Sequence, residues 1–261
     1  MSELAGSSWW GPVAALWKRE VVRFLRQRSR VIGALGTPLI FWVFLRSGLG
    51  RTFSVPGLSN EVSFGEYFYA GTVAAILLFT AIFSTISVIE DRTEGFLQSV
   101  LVAPIGRSAI VMGKVMGCTT LAVGQAMLFL LLSPFAGATW TLSGMAWSIA
   151  LLVLGGMGLS ALGLLIAWRM DSTQGYHSVM NLFLLPMWML SGSIFPISAA
   201  RSWLGWVMTL NPMTYVVAGL RQALYPHQSA SDLPSLGLCV AVTAGFAALM
   251  VILAAWAVSK E

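Results

Sequence analysis

The sequence has little charge and little cysteine. Only 10% of its residues are Asp, Glu, Lys or Arg and 57% are hydrophobic, whereas a soluble domain carries about 25% charged residues. Its two cysteines, Cys118 and Cys239, both lie inside apolar runs, so the sequence indicates neither a disulfide framework nor a metal site. The shortage of charge excludes a sizeable water-soluble domain and predicts an all-α integral membrane protein.

Signals of chemistry are also missing. The central parts of the apolar runs contain no Asp, Glu, Lys or Arg, which argues against a proton- or sodium-driven transporter. The stretch 106–114 has the glycines and lysine of a phosphate loop at the wrong spacing, and Val115 stands where Ser or Thr is needed. We therefore expect no catalytic residue, no metal and no bound cofactor on this chain, and a partner that supplies energy.

The apolar runs are about 20 residues long, which suits a hydrocarbon core of roughly 30 Å. Six of them form a predicted transmembrane domain over residues 31–258, preceded by an N-terminal segment at 1–30. The six predicted spans are 31–49, 68–89, 110–136, 146–168, 176–195 and 235–258.

The basic residues are distributed unequally between the two sides of these spans. Eleven fall on the side of the N-terminus: Lys18, Arg19, Arg23, Arg26, Arg28, Arg30, Arg92, Arg107, Lys114, Arg169 and Lys260. Four fall on the other side: Arg46, Arg51, Arg201 and Arg221. Because basic residues concentrate in cytoplasmic loops, this asymmetry predicts that both termini and the 90–113 and 169–175 connections are cytoplasmic. It also explains the net positive charge without nucleic acid as a partner.

Residues 8–29 have the pattern of an amphipathic helix that lies at the membrane interface. Its apolar face comprises Trp10, Val13, Ala14, Trp17, Val21 and Phe24. Arg19, Arg23 and Arg26 lie opposite. Two interpretations fit, a plain surface anchor or a helix that also contacts a cytoplasmic partner.

The 90–113 connection contains the pattern of a short capped helix. Asp91 is suited to cap it, with Glu94 three residues later, and Pro104 ends it. Its apolar strip consists of Phe96, Leu97, Val100 and Leu101. Such a strip suits docking in the groove of a partner, and the alternative is that it lies on the membrane surface.

The segment 196–234 is too apolar for a free loop. Asn211-Pro212 interrupts it, because proline disfavours helix at the preceding residue. Two short helices around this break predict either a re-entrant hairpin on the outer side or a pair of surface helices with an aromatic belt.

Two blocks of residues resemble the permease subunits of ABC-2-type transporters, most closely those of the daunorubicin-resistance and nodulation-export kind. The first block runs from Glu94-Gly95-Phe96-Leu97 through Leu101-Val102-Ala103-Pro104-Ile105-Gly106-Arg107 to Gly113-Lys114. The second contains Leu190-Ser191-Gly192-Ser193-Ile194-Phe195-Pro196 and Leu210-Asn211-Pro212-Met213-Thr214-Tyr215. The resemblance covers nearly the whole chain.

The resemblance implies an exporter subunit of a bacterial inner membrane. Two permease copies, identical or related, would bind two separate ATPase subunits that hold ATP and Mg. The 90–104 helix, with Arg107 just beyond it, would be the coupling helix. The N-terminal helix, with Trp17, Arg19, Arg23 and Arg26, would be the connecting helix. The second and fifth spans would face the substrate path and the dimer axis.

The same family pattern makes the re-entrant pair an outer gate. The residues assigned to the substrate path or gate are Phe183, Met187, Trp188, Phe195, Asn211, Pro212 and Tyr215. This uncharged set suits an apolar or amphipathic cargo such as a drug, a lipid or a lipid-linked glycan, although such residues also face lipid or core. Two other functions stay open, an assembly or maturation subunit with the same fold and a stand-alone channel or secondary carrier.

Overall fold

The computed structural model describes residues 9–26, 28–49, 63–226 and 233–260, and every regular element in these ranges is helical. The helices are α1 (Trp10–Arg26), α2 (Arg28–Leu49), α3 (Phe64–Ser84), α4 (Ile86–Thr93), α5 (Phe96–Val102), α6 (Arg107–Leu130), α7 (Leu142–Ala167), α8 (Thr173–Trp188), α9 (Ser202–Leu210), α10 (Pro212–Leu224) and α11 (Leu236–Ser259). Two 3₁₀ turns lie at Ser133–Ala136 and Ile197–Ala199.

Four stretches of the described chain are helical, long and apolar enough to cross a membrane. They are Phe64–Thr93, Arg107–Leu130, Leu142–Ala167 and Leu236–Ser259. They correspond to the second, third, fourth and sixth predicted spans. The first predicted span falls within α2, which contains Pro38 and whose apolar part, Pro38–Gly48, is shorter.

Helix α3 is the centre of the bundle and is almost entirely buried within the chain. It packs against α2, α6, α7, α8 and α10. This corrects the expectation that the second span faces a path between two copies. The physical reason is its position, since these helices surround it. Composition does not decide burial here, because Leu236–Ser259 is at least as apolar and is buried to only 22%.

The fifth predicted span, 176–195, is not one straight helix. Helix α8 ends at Trp188 and continues as a π-helical segment, Met189–Ser193, in which Gly192 has φ 79° and ψ 11°. Such left-handed geometry is open to glycine at little steric cost. The chain therefore turns out of the helix at this point, which we call the α8 break (Met189–Ser193).

Helices α9 and α10 meet at the predicted interruption. Asn211 is extended and its side chain accepts a hydrogen bond from Met213 N at 3.0 Å, with Pro212 at the first helical position. An asparagine cap followed by proline is a strong helix start. Residues 50–62, between the first two predicted spans, and residues 227–232, within the segment 196–234, lie outside the described residues, as do residues 1–8 of the N-terminal segment.

Candidate functional site

Helix α1 lies along the first half of α6, at the end of the bundle that carries α4 and α5. Two glycines of α6 make this close approach possible. A Cβ added at Gly113 would lie 2.7 Å from Leu16 Cβ, and one at Gly117 would lie 2.6 Å from Glu20 Cβ. Their small-xxx-small spacing thus serves a contact within the chain.

Three buried charged residues from three helices meet under α1. Lys114 Nζ of α6 donates to Glu20 Oε1 of α1 at 2.5 Å and to Asp91 Oδ2 of α4. All three residues are buried. Lys114 therefore links α6, its own helix, to both α1 and α4.

Two arginines of α1 close this group on its exposed side. Arg19 donates to both carboxylate oxygens of Asp91, at 2.8 and 2.5 Å. Arg23 donates to Asp91 Oδ1 at 2.7 Å and to Glu90 Oε2 at 2.9 Å, and lies 3.5 Å from Glu94. We call Arg19, Glu20, Arg23, Glu90, Asp91 and Lys114 the charge cluster.

The charge cluster is balanced, with three cations and three anions. Buried charges are tolerated only when they are paired and hydrogen-bonded. The pKa of Arg19 is raised above its ordinary value, chiefly because its guanidinium is hydrogen-bonded to Asp91. Removing one partner of a buried pair costs about 3–5 kcal/mol, so this cluster fixes α1, α4 and α6 relative to one another.

Helix α5 is attached to the same group by apolar contacts. Leu97 and Val100 are buried, and Val100 packs with Leu16 and Ile110. The ring of Phe96 lies 3.7 Å from the guanidinium carbon of Arg19. Within the predicted strip, Leu97 and Val100 are therefore buried in the chain itself, whereas Phe96 and Leu101 are half-buried. Docking of this strip in a partner stays a prediction.

What α5 presents outward is different from the predicted strip. Gln98, Ser99 and Val102 are exposed, and Val102 is 87% exposed. Pro104 is also exposed, just after the helix. A partner that grips this end would contact these residues.

The predicted cap of this helix is wrong. Asp91 lies inside α4, and Glu94 is the C-terminal cap of α4. Gly95, with φ 77°, then turns the chain into α5, which has no side-chain cap. The reason is that α3 and α4 together form a 30-residue helical stretch that extends to Thr93, so Asp91 turns inward to Lys114.

The 169–175 connection is held from α4. Arg92 donates to Asp171 Oδ1 at 3.0 Å and to the carbonyl oxygens of Met170, at 3.4 Å, and Trp168. One turn into α8, the Tyr176 hydroxyl lies 2.8 Å from Thr85 Oγ1, beside the junction of α3 and α4. Helix α4 is therefore fixed on two sides, to α1 and α6 and to the start of α8.

The remaining residues assigned to the coupling and connecting helices lie at the edges of this site. Trp17 is partly exposed and donates to Thr120 Oγ1 at 2.9 Å. Arg26 is exposed at the end of α1. Arg107 begins α6 and donates to Val258 O at 3.0 Å, which ties α6 to the end of α11.

The face of α1 that packs inward differs from the predicted apolar face. Val13, Leu16, Glu20 and Phe24 are buried, whereas Trp10, Ala14 and Trp17 are exposed. Glu20 faces inward because Lys114 lies opposite it, 94 residues away in the sequence. Arg19 and Arg23, predicted to face away from the apolar side, pair with Asp91.

The residues assigned to the substrate path or gate fall into two groups. Phe183 is 63% exposed on α8. The others surround the α8 break or the start of α10. In this group, Trp188 donates to Gly71 O at 2.8 Å, Asn211 to Met187 O at 2.6 Å and Tyr215 to Thr209 O at 2.9 Å. Met187, Phe195 and Pro212 are half-buried there.

Sequence reasoning missed Glu20, Glu90, Arg92 and Lys114 as members of the site. The sequence did indicate a buried role for Lys114, because this cation lies four residues after the start of the third apolar run. The sequence also indicated that Glu20 faces inward, because it lies at helical spacing from Val13, Leu16 and Phe24. Opposite charges placed on inward faces of two helices predict a pair only when the helices are known to be neighbours.

Known proteins match this chain over most of its length. The model of the family described as ABC-2 type transporter matches residues 12–225. The chain belongs to the ABC-2 type transporter family. Members of this family are membrane components of transporters and normally work with an ATP-binding subunit. The ABC-2 chain described here is therefore a multi-pass membrane transport permease and not itself a catalyst.

Individual relatives are similar at low identity. The chain is 28% identical over 222 residues to a transport permease designated ycf38 from Cyanophora paradoxa, covering 82% of this chain and 74% of the relative. It is 23% identical over 236 residues to Nodulation protein J of Rhizobium leguminosarum bv. trifolii, covering 89% and 88%.

Proposed function

We propose that this ABC-2 chain is the permease half of an exporter of a bacterial inner membrane, driven by ATP hydrolysis on a separate subunit. Two copies of the permease, or this chain and a related one, assemble with two copies of the ATPase, which bind ATP and Mg. The chain crosses the membrane six times with both termini in the cytoplasm, and α9 and α10 form a re-entrant hairpin at the outer end.

The charge cluster is the observation that supports this proposal best. A loop that only connects two spans needs no buried ion pairs, yet here six charged side chains fix α1, α4 and α6 behind the short helix α5. A rigid base of this kind transmits a displacement of α5 to the membrane spans, whereas a flexible loop would absorb it. That is what a permease requires when hydrolysis takes place on another subunit.

The exposed surface of α8 supports the class of cargo that we propose. Its exposed side carries Leu182, Phe183 and Leu185, with the uncharged polar residues Ser178 and Asn181 beside them. An apolar surface with uncharged polar groups suits an amphipathic or apolar molecule, such as a drug, a lipid or a lipid-linked glycan, better than an ion.

The test is a mild-detergent pull-down of the tagged chain, with mass spectrometry of the eluate and an ATPase assay. We expect an ATP-binding subunit and ATP turnover. Val102→Asp should remove both, because Val102 is 87% exposed on α5 and the substitution leaves the core intact. Leu142→Asp is the matched control, because Leu142 is 92% exposed at the start of α7.

Phe96→Asp is a poorer test of docking, because Phe96 packs on Arg19 and its loss disturbs the permease itself. A parent chain that yields no partner and no turnover in several detergents would support a stand-alone channel or carrier instead.

A further inference from the structure

The α8 break leaves backbone groups without helical partners, and α10 supplies them. Helix ends leave carbonyl oxygens unpaired, and inside a membrane these must be satisfied by protein. Three carbonyl oxygens at or next to the break accept side-chain hydrogen bonds from α10 and its cap. Asn211 donates to Met187 O at 2.6 Å, Thr214 to Leu190 O at 3.5 Å and Arg221 to Gly192 O at 2.9 Å.

Arg221 is the unusual member of this group. It is 4% exposed, and within the described residues no carboxylate pairs with it. Its guanidinium carbon lies 3.7 Å from the centre of the Tyr67 ring, and Nη2 also donates to Tyr67 O at 3.3 Å. Its Nε has no hydrogen-bond partner. A buried cation held only by carbonyl oxygens and an aromatic ring is less stabilised than one held by a carboxylate.

Tyr67 connects the same carbonyl to the central helix. Its hydroxyl donates to Gly192 O at 2.8 Å, so Gly192 O accepts from both α3 and α10. The break also lies directly against α3, since a Cβ added at Gly71 would be 2.5 Å from Ser193 Cβ. Gly192 O therefore joins α3, the α8 break and α10 at one atom.

We propose that Arg221 is a latch that holds this end of the permease closed by pinning the α8 break to α3. An apolar side chain would fill the same space without the desolvation of a charge, so packing alone does not account for an arginine here. Its weakly compensated charge becomes hydrated when the latch opens, which keeps the closed and open arrangements close in free energy. Opening separates Gly192 from Tyr67 and uncovers Ser193.

The assignment of this latch to an export gate rests on the proposed function, whereas its mechanical role does not. Ser193 is 0% exposed, so a cysteine placed there by Ser193→Cys reports on opening. The experiment uses the purified full-length permease in detergent, without ATPase or substrate. It measures the rate at which N-ethylmaleimide modifies this introduced cysteine, by mass spectrometry of the peptide that contains it. Native Cys239, also 0% exposed, is the internal reference for global unfolding.

We expect slow modification of the introduced cysteine when Arg221 is present. Adding Arg221→Met should raise the rate about tenfold or more, because modification follows the population of the locally open state, while Cys239 stays protected. Arg221→Lys should give an intermediate rate, since the ammonium keeps the charge and can donate to a carbonyl oxygen but lacks the planar fork of the guanidinium. A merely structural arginine would expose both cysteines together.

Equal modification rates of the introduced cysteine with and without Arg221→Met would overturn the latch. If Arg221→Met also exposes Cys239, the same labelling rate is measured in Tyr67→Phe instead. This substitution removes the hydroxyl that donates to Gly192 O and keeps the aromatic ring. An unchanged rate at the introduced cysteine in Tyr67→Phe would then overturn the proposal. Either result leaves the ATP-driven permease intact as a proposal, because the pull-down tests that separately.

Discussion

The guanidinium of Arg19 donates two hydrogen bonds to the carboxylate of Asp91, at 2.8 and 2.5 Å, and so joins α1 to the end of the central helical stretch. Asp91 is 0% exposed and also receives Arg23 and Lys114. One carboxylate therefore contacts all three cations of the charge cluster.

Asp91→Asn should be strongly destabilising. It leaves Arg19, Arg23 and Lys114 with too little negative charge, and breaking a buried pair costs about 3–5 kcal/mol. The measurement is the melting temperature of the detergent-solubilised permease, with unfolding monitored by size-exclusion chromatography after heating. Asp171→Asn is the control, because Asp171 pairs with Arg92 at 3.0 Å but is 88% exposed, and exposed pairs contribute about 0–1 kcal/mol. Similar melting temperatures for the two variants would contradict the role given to Asp91.

Glu20 and Lys114 should behave as a coupled pair. Lys114→Met alone leaves Glu20 buried without its 2.5 Å partner, and Glu20→Met alone leaves Lys114 with Asp91 only. The double variant removes both charges, and replacing a buried ion pair by apolar residues is often neutral. We expect it to be more stable than the sum of the single effects by about 1–3 kcal/mol. Additive effects in a double-mutant cycle would show that the pair is not coupled.

Gly117→Ala should displace α1 from α6. The new Cβ would lie 2.6 Å from Glu20 Cβ, and overpacking of this kind costs about 1–3 kcal/mol. Gly124→Ala is the control on the same helix, where a Cβ meets nothing within 4 Å and alanine favours helix by about 1 kcal/mol. The readout is thermal stability together with protease cleavage of α1. A stabilised Gly117→Ala protein would contradict the packing of α1 on α6.

The proposed orientation predicts opposite labelling of two exposed positions. Val102→Cys on α5 should resist a membrane-impermeant maleimide in intact cells and react after permeabilisation, whereas Leu142→Cys should react in both. Both side chains are highly exposed, at 87% and 92%, so a difference reports the side of the membrane. Cys118 and Cys239 are buried and add little background. The reverse pattern would overturn the topology.

Composition and run length were sufficient for the class of protein and for four spans. The motif blocks were sufficient for the family, which the match over residues 12–225 confirms. The break at Asn211-Pro212 was predictable because asparagine and proline act locally. In each of these cases the signal lies within a few neighbouring residues.

The rest depended on contacts between residues that are distant in the sequence. The inward direction of Glu20 is set by Gly117 and Lys114 on another helix, and the location of Asp91 inside α4 is set by Lys114 and Arg19. The α8 break gives no periodic signal, because a continuous apolar run looks the same whether its helix is straight or interrupted. Gly192 lies between Ser191 and Ser193, and only its positive φ shows that the helix ends there.

The burial of α3 has a consequence for how the chain is made. Membrane helices are inserted in chain order, and the polar groups of α3 find their partners only later. Tyr69 donates to Phe129 O on α6, and Tyr67 to Gly192 O more than a hundred residues downstream. Until those segments have been made, these two hydroxyls lack the partners that they have in the folded chain. We therefore expect α3 to reach its final packing only after synthesis has passed the α8 break.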